Sequence, residues 1–153
     1  MLKNGWKKKA VKTSNRESLY IASSDRETIE FAEEFGRQLS GSEIICLSGD
    51  LGAGKTTFVK GIASSQNISP EQITSPTYTY LNLIDDFAHF DLYRLKDKGH
   101  FLSLGFEEYF ESEYIVCIEW PEVIKSLLPM PHYWINLAHF EGKRKIEILC
   151  HQN

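Results

Sequence analysis

The sequence has few cysteines and no long apolar run, and these shortages argue against several classes of protein. Its three cysteines, Cys46, Cys117 and Cys150, are odd in number and widely spaced, which favours buried free thiols in a reducing compartment over disulfides or a zinc site. No run approaches the roughly eighteen apolar residues of a membrane span. The charged N-terminus has no apolar segment behind it, unlike a secretory signal. We therefore expect a cytoplasmic protein with no membrane partner.

Acidic residues are missing from the first sixteen positions. This segment contains six basic side chains and carries +6, and because the whole chain carries −4, the remainder carries −10. A body this acidic is a poor non-specific binder of nucleic acid. A basic leader can touch RNA or a partner, but such a segment is more often a solvated, disordered tail. We interpret residues 1–16 as a flexible leader and residues 17–153 as a single domain.

A glycine-rich stretch at residues 49–57 organises our interpretation of the chain. It fits the P-loop pattern G-x-x-x-x-G-K-[ST], with a strand-like apolar run before it and a helix-like run after it. Glycines let backbone N–H groups turn towards phosphate oxygens, and the N-terminus of the following helix attracts the same anion. The pattern predicts a nucleotide phosphate site formed by Gly49, Asp50, Leu51, Gly52, Ala53, Gly54, Lys55, Thr56 and Thr57.

Chemistry at a P-loop requires a cation, a hydroxyl and a nearby carboxylate. Lys55 is expected to reach the β and γ phosphates, and the Thr56 hydroxyl to ligate Mg²⁺. Glu119 and Asp91 each end an apolar strand-like run, so both should lie at the sheet edge where α/β proteins bind ligands. One would hold the metal and the other would orient a water, and spacing alone leaves that division open. Trp120 would cover the nucleotide, meet a partner or fill the core.

Hydrophobic patterning along the chain predicts a three-layer, P-loop NTPase-like α/β domain with a mixed, mostly parallel sheet. The first helix should begin at Ser24 or Asp25, end at Gly41, and pack Ile29, Phe35 and Leu39 on the sheet. A charged loop should follow the fourth strand. Strands are predicted at 17–23, 43–48, 78–84, 87–91, 114–119, 132–140 and 144–150, and the later helices at 55–66, 106–110 and 121–128.

Four motifs in sequence order resemble the bacterial TsaE (YjeE) family, the P-loop ATPases of tRNA threonylcarbamoyladenosine biosynthesis. The resemblance covers about residues 19–150, and the motifs lie at residues 49–57, 75–78, 89–95 and 118–122. It implies that the P-loop binds ATP, that Thr56 and Glu119 ligate Mg²⁺, and that Lys55, Asp91 and Glu119 serve catalysis. Further residues implied at the nucleotide are Trp120, the first-helix residues Ser24, Asp25 and Thr28, and the turn Gly142-Lys143, where Lys143 replaces a common arginine.

The resemblance also implies a partner-dependent role. Family members support a threonylcarbamoyl transferase, TsaD, and its companion subunit, TsaB, which modify an adenosine beside the tRNA anticodon. The TsaE-like protein hydrolyses ATP and resets that complex without transferring the group, so it meets tRNA only indirectly. Slow hydrolysis by the isolated protein is expected, because a partner would complete the site.

Three other functions stay open at this point. A small-molecule or nucleotide kinase would need an arginine-rich lid, and residues 92–113 contain only Arg94, Lys96 and Lys98 as basic side chains. A nucleotide-gated binding module would hardly turn over, and its mark would be partner association controlled by ATP binding alone. A GTPase is disfavoured because the chain has no N-K-x-D sequence to read guanine.

Overall fold

The computed structural model describes residues 17–76 and 78–152, which form one sheet with helices on both faces; the basic leader and Thr77 lie outside this description. The strands are β1 (Glu17–Ala22), β2 (Ile44–Ser48), β3 (Leu81–Ile84), β4 (Phe87–Asp91), β5 (Ile115–Glu119), β6 (His132–Phe140) and β7 (Lys143–His151). The α-helices are α1 (Asp25–Gly36), α2 (Lys55–Ser65) and α3 (Lys98–Ser103). Short 3₁₀ segments occupy Pro70–Gln72, Phe106–Glu111 and Pro121–Leu127.

The sheet is mixed around a parallel core. Its strand order is β1-β7-β6-β2-β5-β4-β3. The four central strands, β6, β2, β5 and β4, run parallel to one another, whereas β3, β7 and β1 join by antiparallel pairing at the two sides. This confirms the predicted fold class. Parallel strands place their carboxyl ends at one edge, so the segments after β2, β4 and β5 meet there.

Side chains alternate between two cores, one on each face of the sheet. On β2, Ile45 and Leu47 pack towards α1 and α2, whereas Ile44 and Cys46 pack towards α3 and the 3₁₀ segments. Strands covered on both faces read as continuous apolar runs, which explains the sequence of β2 and β5. Cys46 and Cys117 are buried and free, and Cys150 is free and half-buried. Among the described helices, none has the length and apolar character needed to cross a membrane.

Helix α1 differs from its predicted form. Ser24 caps it by accepting a hydrogen bond from the Glu27 amide, but the helix ends at Gly36, five residues before the expected stop. Its buried face contains Phe31 and Ala32 with Phe35, whereas Ile29 is only half-buried. Packing against α2 decides this face, because the two helices cross closely and small residues are needed at the contact.

The chain around the β3–β4 hairpin also departs from expectation. Strand β3 starts at Leu81, not Tyr78, because Tyr80 adopts a left-handed backbone with φ of 64° that interrupts an extended strand. The segment expected to be a charged loop contains α3, capped by Asp97 and anchored by the buried Phe101. One buried aromatic among polar residues gives too little helical periodicity to predict this helix.

The α1–α2 contact gives a stability prediction. A Cβ added at Gly61 would lie 2.4 Å from the Ala32 Cβ and 2.6 Å from the Ile29 carbonyl oxygen. Alanine would gain about 1 kcal/mol of helix propensity. We nevertheless expect Gly61→Ala to lower the free energy of unfolding by about 1–3 kcal/mol in urea titrations, because overpacking outweighs that gain. Gly99→Ala, at an exposed position of α3, is the matched control and should not destabilise the protein.

Candidate active site at the P-loop

The P-loop joins β2 to α2 and presents its backbone at the carboxyl edge of the sheet. Gly54 lies immediately before α2 with φ of 104°, a left-handed conformation that strains residues with a side chain. A Cβ at this position would also lie 2.4 Å from the Arg144 guanidinium. The backbone angle therefore favours glycine here, and any side chain would also have to displace the Arg144 guanidinium. The first amides of α2 are left pointing out of the helix, where an anion can bind them.

Lys55 is folded back over the loop. Its Nζ donates hydrogen bonds to the carbonyl oxygens of Gly49 at 2.5 Å and Asp50 at 2.8 Å. The ammonium also lies 4.2 Å from the centre of the Trp120 ring. Burial lowers the pKa of Lys55 from its ordinary value, and the carboxylates of Glu119 and Asp91 oppose that shift. The site thus holds a desolvated cation among carbonyl oxygens and carboxylates.

Glu119 ends β5 and is buried beside the loop. The Thr56 hydroxyl lies 2.9 Å and 3.0 Å from its two carboxylate oxygens, and His89 Nε2 lies 2.6 Å from Oε2. Glu119 is only 3% exposed, so these polar contacts offset the cost of taking its charge out of water. The hydroxyl oxygen and the carboxylate lie side by side, and both are hard oxygen ligands. Mg²⁺ binds to such ligands together with the phosphates of a substrate.

Asp91 ends β4 directly beside Glu119 in the sheet register. Its contacts differ from those of Glu119: it accepts hydrogen bonds from the Ser75 hydroxyl at 2.9 Å and from the Tyr93 amide at 3.0 Å. Asp91 therefore faces the cavity from the side of the loop that contains Ser75, whereas Glu119 contacts Thr56. The sequence did not show which of the two carboxylates lies nearer the Thr56 hydroxyl. In the structure it is Glu119 that contacts this hydroxyl.

Trp120 is held over the loop by an unusual backbone. It has φ of 59° and ψ of 54°, just before Pro121, and its ring packs against Tyr93 with a centroid distance of 4.9 Å. A left-handed conformation in a bulky residue costs about 1–3 kcal/mol and occurs where the surroundings enforce it, often at functional sites. The ring consequently covers the Lys55 ammonium, and it is half-buried against the edge of one core.

Arg144 borders the site on the opposite side. Its Nη1 donates to Asp25 Oδ1 and to Thr28 Oγ1, each at 2.9 Å, which ties β7 to the start of α1. Gly142 lies two residues earlier in the exposed β6–β7 turn, and it is not among the residues that line the cavity. It is Arg144, on the strand that follows this turn, that lines the cavity. Strand β7 leaves this turn and runs back towards the cavity, so its second residue, Arg144, reaches the site.

These groups enclose a cavity of about 300 Å³. Most of the predicted residues line it, and Gly49, Asp50 and Ala53 build the loop beneath. Ser75 and Arg144 line it as well. A larger cavity of about 480 Å³, at the opposite sheet edge, is bordered by Asp85, Asp86 and Glu113 and suits no anion. The lining residues are Asp25, Leu51, Gly52, Gly54, Lys55, Thr56, Thr57, Ser75, Asp91, Glu119, Trp120 and Arg144.

Comparison with known proteins identifies the family. A family model described as "Threonylcarbamoyl adenosine biosynthesis protein TsaE" matches residues 22–146. The chain belongs to the TsaE family. It is 35% identical to the tRNA threonylcarbamoyladenosine biosynthesis protein TsaE of Rickettsia typhi over 132 residues, covering 84% of this chain and 91% of that protein. The resemblance predicted from the four motifs is thereby confirmed.

Two further comparisons extend the match. The TsaE protein of Borreliella burgdorferi is 40% identical over 111 residues, which cover 69% of this chain and 80% of that protein. The crystal structure of YdiB from Bacillus subtilis superposes with a TM-score of 0.72 and 27% identity, covering 88% of this chain and 85% of that chain. The superposition agrees with the α/β fold described above.

The buried lysine gives a prediction that is independent of any ligand. The pKa of Lys55 should lie below 10.5 in side-chain NMR titrations of labelled lysine, because burial disfavours the ammonium. Between the folded and unfolded pKa values the unfolded chain binds more protons, so this group's contribution to stability rises with pH in that window. Glu119→Gln should lower the pKa further, since a carboxylate that favours the cation is removed.

Glu107→Gln, on an exposed 3₁₀ segment, is the control for this titration and should leave the midpoint of Lys55 unchanged. A Lys55 midpoint at or above 10.5 in the wild-type protein would contradict the environment described for the ammonium.

Proposed function

We propose that this protein binds and hydrolyses Mg²⁺-ATP in support of tRNA threonylcarbamoyladenosine biosynthesis. The observation that supports it best is the contact of the Thr56 hydroxyl with Glu119 beside the P-loop. This contact joins the loop's phosphate-binding backbone to a buried carboxylate, which is the donor pair a P-loop ATPase needs. The names of the related TsaE proteins supply the biological process.

The residues divide the work as follows. Loop amides and Lys55 bind the phosphates, and Lys55 exchanges its bonds to the Gly49 and Asp50 carbonyls for bonds to phosphate oxygens. Thr56 and Glu119 would hold Mg²⁺, which when bound neutralises charge on the phosphates. Asp91, with both oxygens already accepting hydrogen bonds, orients the attacking water. Asp25 and Gly142 flank the nucleotide on the far side, and Trp120 covers it.

A partner completes this site in the proposed mechanism. The cavity opens to solvent, and three large apolar or aromatic side chains in the segments that border it are exposed: Leu51 at 66%, Tyr78 at 81% and Tyr93 at 51%. Water in an open cleft weakens electrostatic stabilisation, so the isolated protein should turn over slowly. We propose the threonylcarbamoyl transferase TsaD with its companion TsaB as the partner, tRNA as an indirect contact, and the cytoplasm as the location.

The kinase alternative receives less support from the same coordinates. A kinase lid must open over its acceptor. Residues 98–111 are instead packed on the sheet, where Phe101 is fully buried and meets Phe90, Phe106 and Phe110 through ring contacts. Moving this segment would expose one of the two cores. A nucleotide-gated binding module remains the second candidate, because the site would bind ATP even without turnover.

The decisive experiment compares ATP hydrolysis by the protein alone and with the threonylcarbamoyl-transferase complex. We expect the complex to raise the rate. Glu119→Gln should lower the stimulated rate by at least about 100-fold, because a bound metal supplies several kcal/mol to the transition state and each 1.36 kcal/mol is tenfold. Glu107→Gln is the matched control and should hydrolyse ATP like the wild type.

Three results of that comparison would count against the proposal in different ways. A rate indifferent to the partner contradicts the partner-dependent role and directs attention to small phosphate acceptors. Unchanged hydrolysis in Glu119→Gln contradicts the metal assignment. ATP-controlled association with the complex, without any turnover in the wild type, favours the binding module.

Tryptophan fluorescence tests the position of the nucleotide. Because the Trp120 ring covers the Lys55 ammonium at 4.2 Å, ATP binding should change its emission. Trp120→Phe should abolish that change. Trp134→Phe should preserve it, since Trp134 is 8% exposed, packs in a hydrophobic core and does not line the cavity. A response that survives Trp120→Phe would contradict the assignment of Trp120 to the nucleotide site.

A further inference from the structure

His89 is a buried polar side chain that the proposed chemistry does not use. It lies in the middle of β4 between Ala88 and Phe90 and is 0% exposed. A single histidine in a strand of alternating pattern is ordinarily a structural residue of the core. Burying an imidazole among apolar side chains costs free energy unless its nitrogens are hydrogen-bonded. The hydrogen-bond partners of the two ring nitrogens therefore indicate the role of His89.

The two nitrogens have different surroundings. Nε2 lies 2.6 Å from Oε2 of Glu119, whereas Nδ1 is buried without a hydrogen-bond partner among the described residues. An ionised carboxylate only accepts, so Nε2 donates its hydrogen to Glu119. Here the single polar contact of the ring is with the carboxylate of the site.

Sheet register brings this contact about. Asp91 pairs with Glu119 and His89 pairs with Cys117 across the parallel β4–β5 ladder. His89, Asp91 and Glu119 therefore share one face of the sheet, because residues two apart in a strand point the same way. His89 approaches Glu119 from within the sheet, and Thr56 approaches from α2. The carboxylate is held from two directions by two rigid elements.

We propose that His89 is a positioning residue that fixes the Glu119 carboxylate for metal binding. Its hydrogen bond to Oε2 selects one rotamer of Glu119 and keeps the carboxylate turned towards Thr56, so the pair is preformed before Mg²⁺-ATP arrives. Ligating carboxylates depend on such hydrogen-bonded neighbours, and losing one weakens metal affinity by about 10- to 100-fold. This inference rests on the proposed Mg²⁺-ATP site and adds a residue to it.

The test measures metal affinity directly. Mn²⁺, a paramagnetic substitute for Mg²⁺, is titrated by EPR into the protein with a non-hydrolysable ATP analogue. His89→Leu, which lacks the donor, should weaken Mn²⁺ binding by about 10- to 100-fold. His89→Gln, whose Nε2 can reach the same carboxylate oxygen, should bind Mn²⁺ with close to wild-type affinity. Binding of the analogue in EDTA should be unchanged in both variants, because His89 does not touch the phosphates.

His132 supplies the matched control. It is also buried, at 6% exposure, but it begins β6 at the opposite edge of the sheet and bonds the Pro129 carbonyl. His132→Gln should leave Mn²⁺ affinity unchanged, whatever it does to thermal stability. If His89→Leu does not fold, His89→Asn replaces it, since the shorter amide cannot reach Glu119 as glutamine does.

Each outcome has a distinct meaning. A folded His89→Leu that binds Mn²⁺ like the wild type overturns the inference and leaves His89 a structural residue. Equal affinities of the Gln and Asn variants overturn it as well, because the donor would then be irrelevant. A wild-type protein that gains no Mn²⁺ affinity from the ATP analogue overturns the proposed site itself.

Discussion

The parallel pairing of β2 with β5 is the constraint on which the site depends. Leu47 lies opposite Glu119 in that register, so the P-loop that leaves β2 and the carboxylate that ends β5 emerge side by side at one edge. Neither segment would be functional alone: the loop supplies amides and a cation, and β5 supplies a fixed negative charge. The continuous apolar sequences of these two strands, buried on both faces, hold that register.

The site contains two buried charged side chains, Lys55 and Glu119. Their hydrogen bonds and ion contacts offset the cost of removing these charges from water. Lys55 is desolvated, which lowers its pKa, while the carboxylates of Glu119 and Asp91 act in the other direction. Bound phosphate would supply further negative charge to Lys55, whose hydrogen bonds are to carbonyl oxygens. The polar groups of the site contact one another, with Thr56 and His89 on Glu119 and Arg144 on Asp25. A nucleotide that offers better partners can exchange with these contacts.

Sequence alone predicted the parts of the site that follow from local segments and from the positions of strand ends. A strand, a glycine-rich loop and a helix form one local unit, and strand-end carboxylates of a parallel sheet share an edge, so Lys55, Glu119 and Asp91 could be grouped without coordinates. Other features depend on tertiary contacts. From sequence, His89 cannot be told apart from a structural histidine in an alternating strand. Its role depends on the pairing of β4 with β5, which only the structure gives. Arg144 reaches the cavity because of the exact length of the β6–β7 turn, and α3 has too few apolar positions for its periodicity to be seen.

Trp120 links the catalytic edge to a potential partner surface. It follows Glu119 directly, adopts a left-handed backbone, and packs between the buried Lys55 and the exposed Tyr93. A strained residue changes conformation at lower cost than a relaxed one, because leaving the native angles releases part of the strain. A partner that contacts Tyr93 would therefore act on the ring that covers Lys55, one residue from the carboxylate that contacts Thr56. In this way a change at the surface would reach the proposed metal-binding residues through one side chain and one peptide bond.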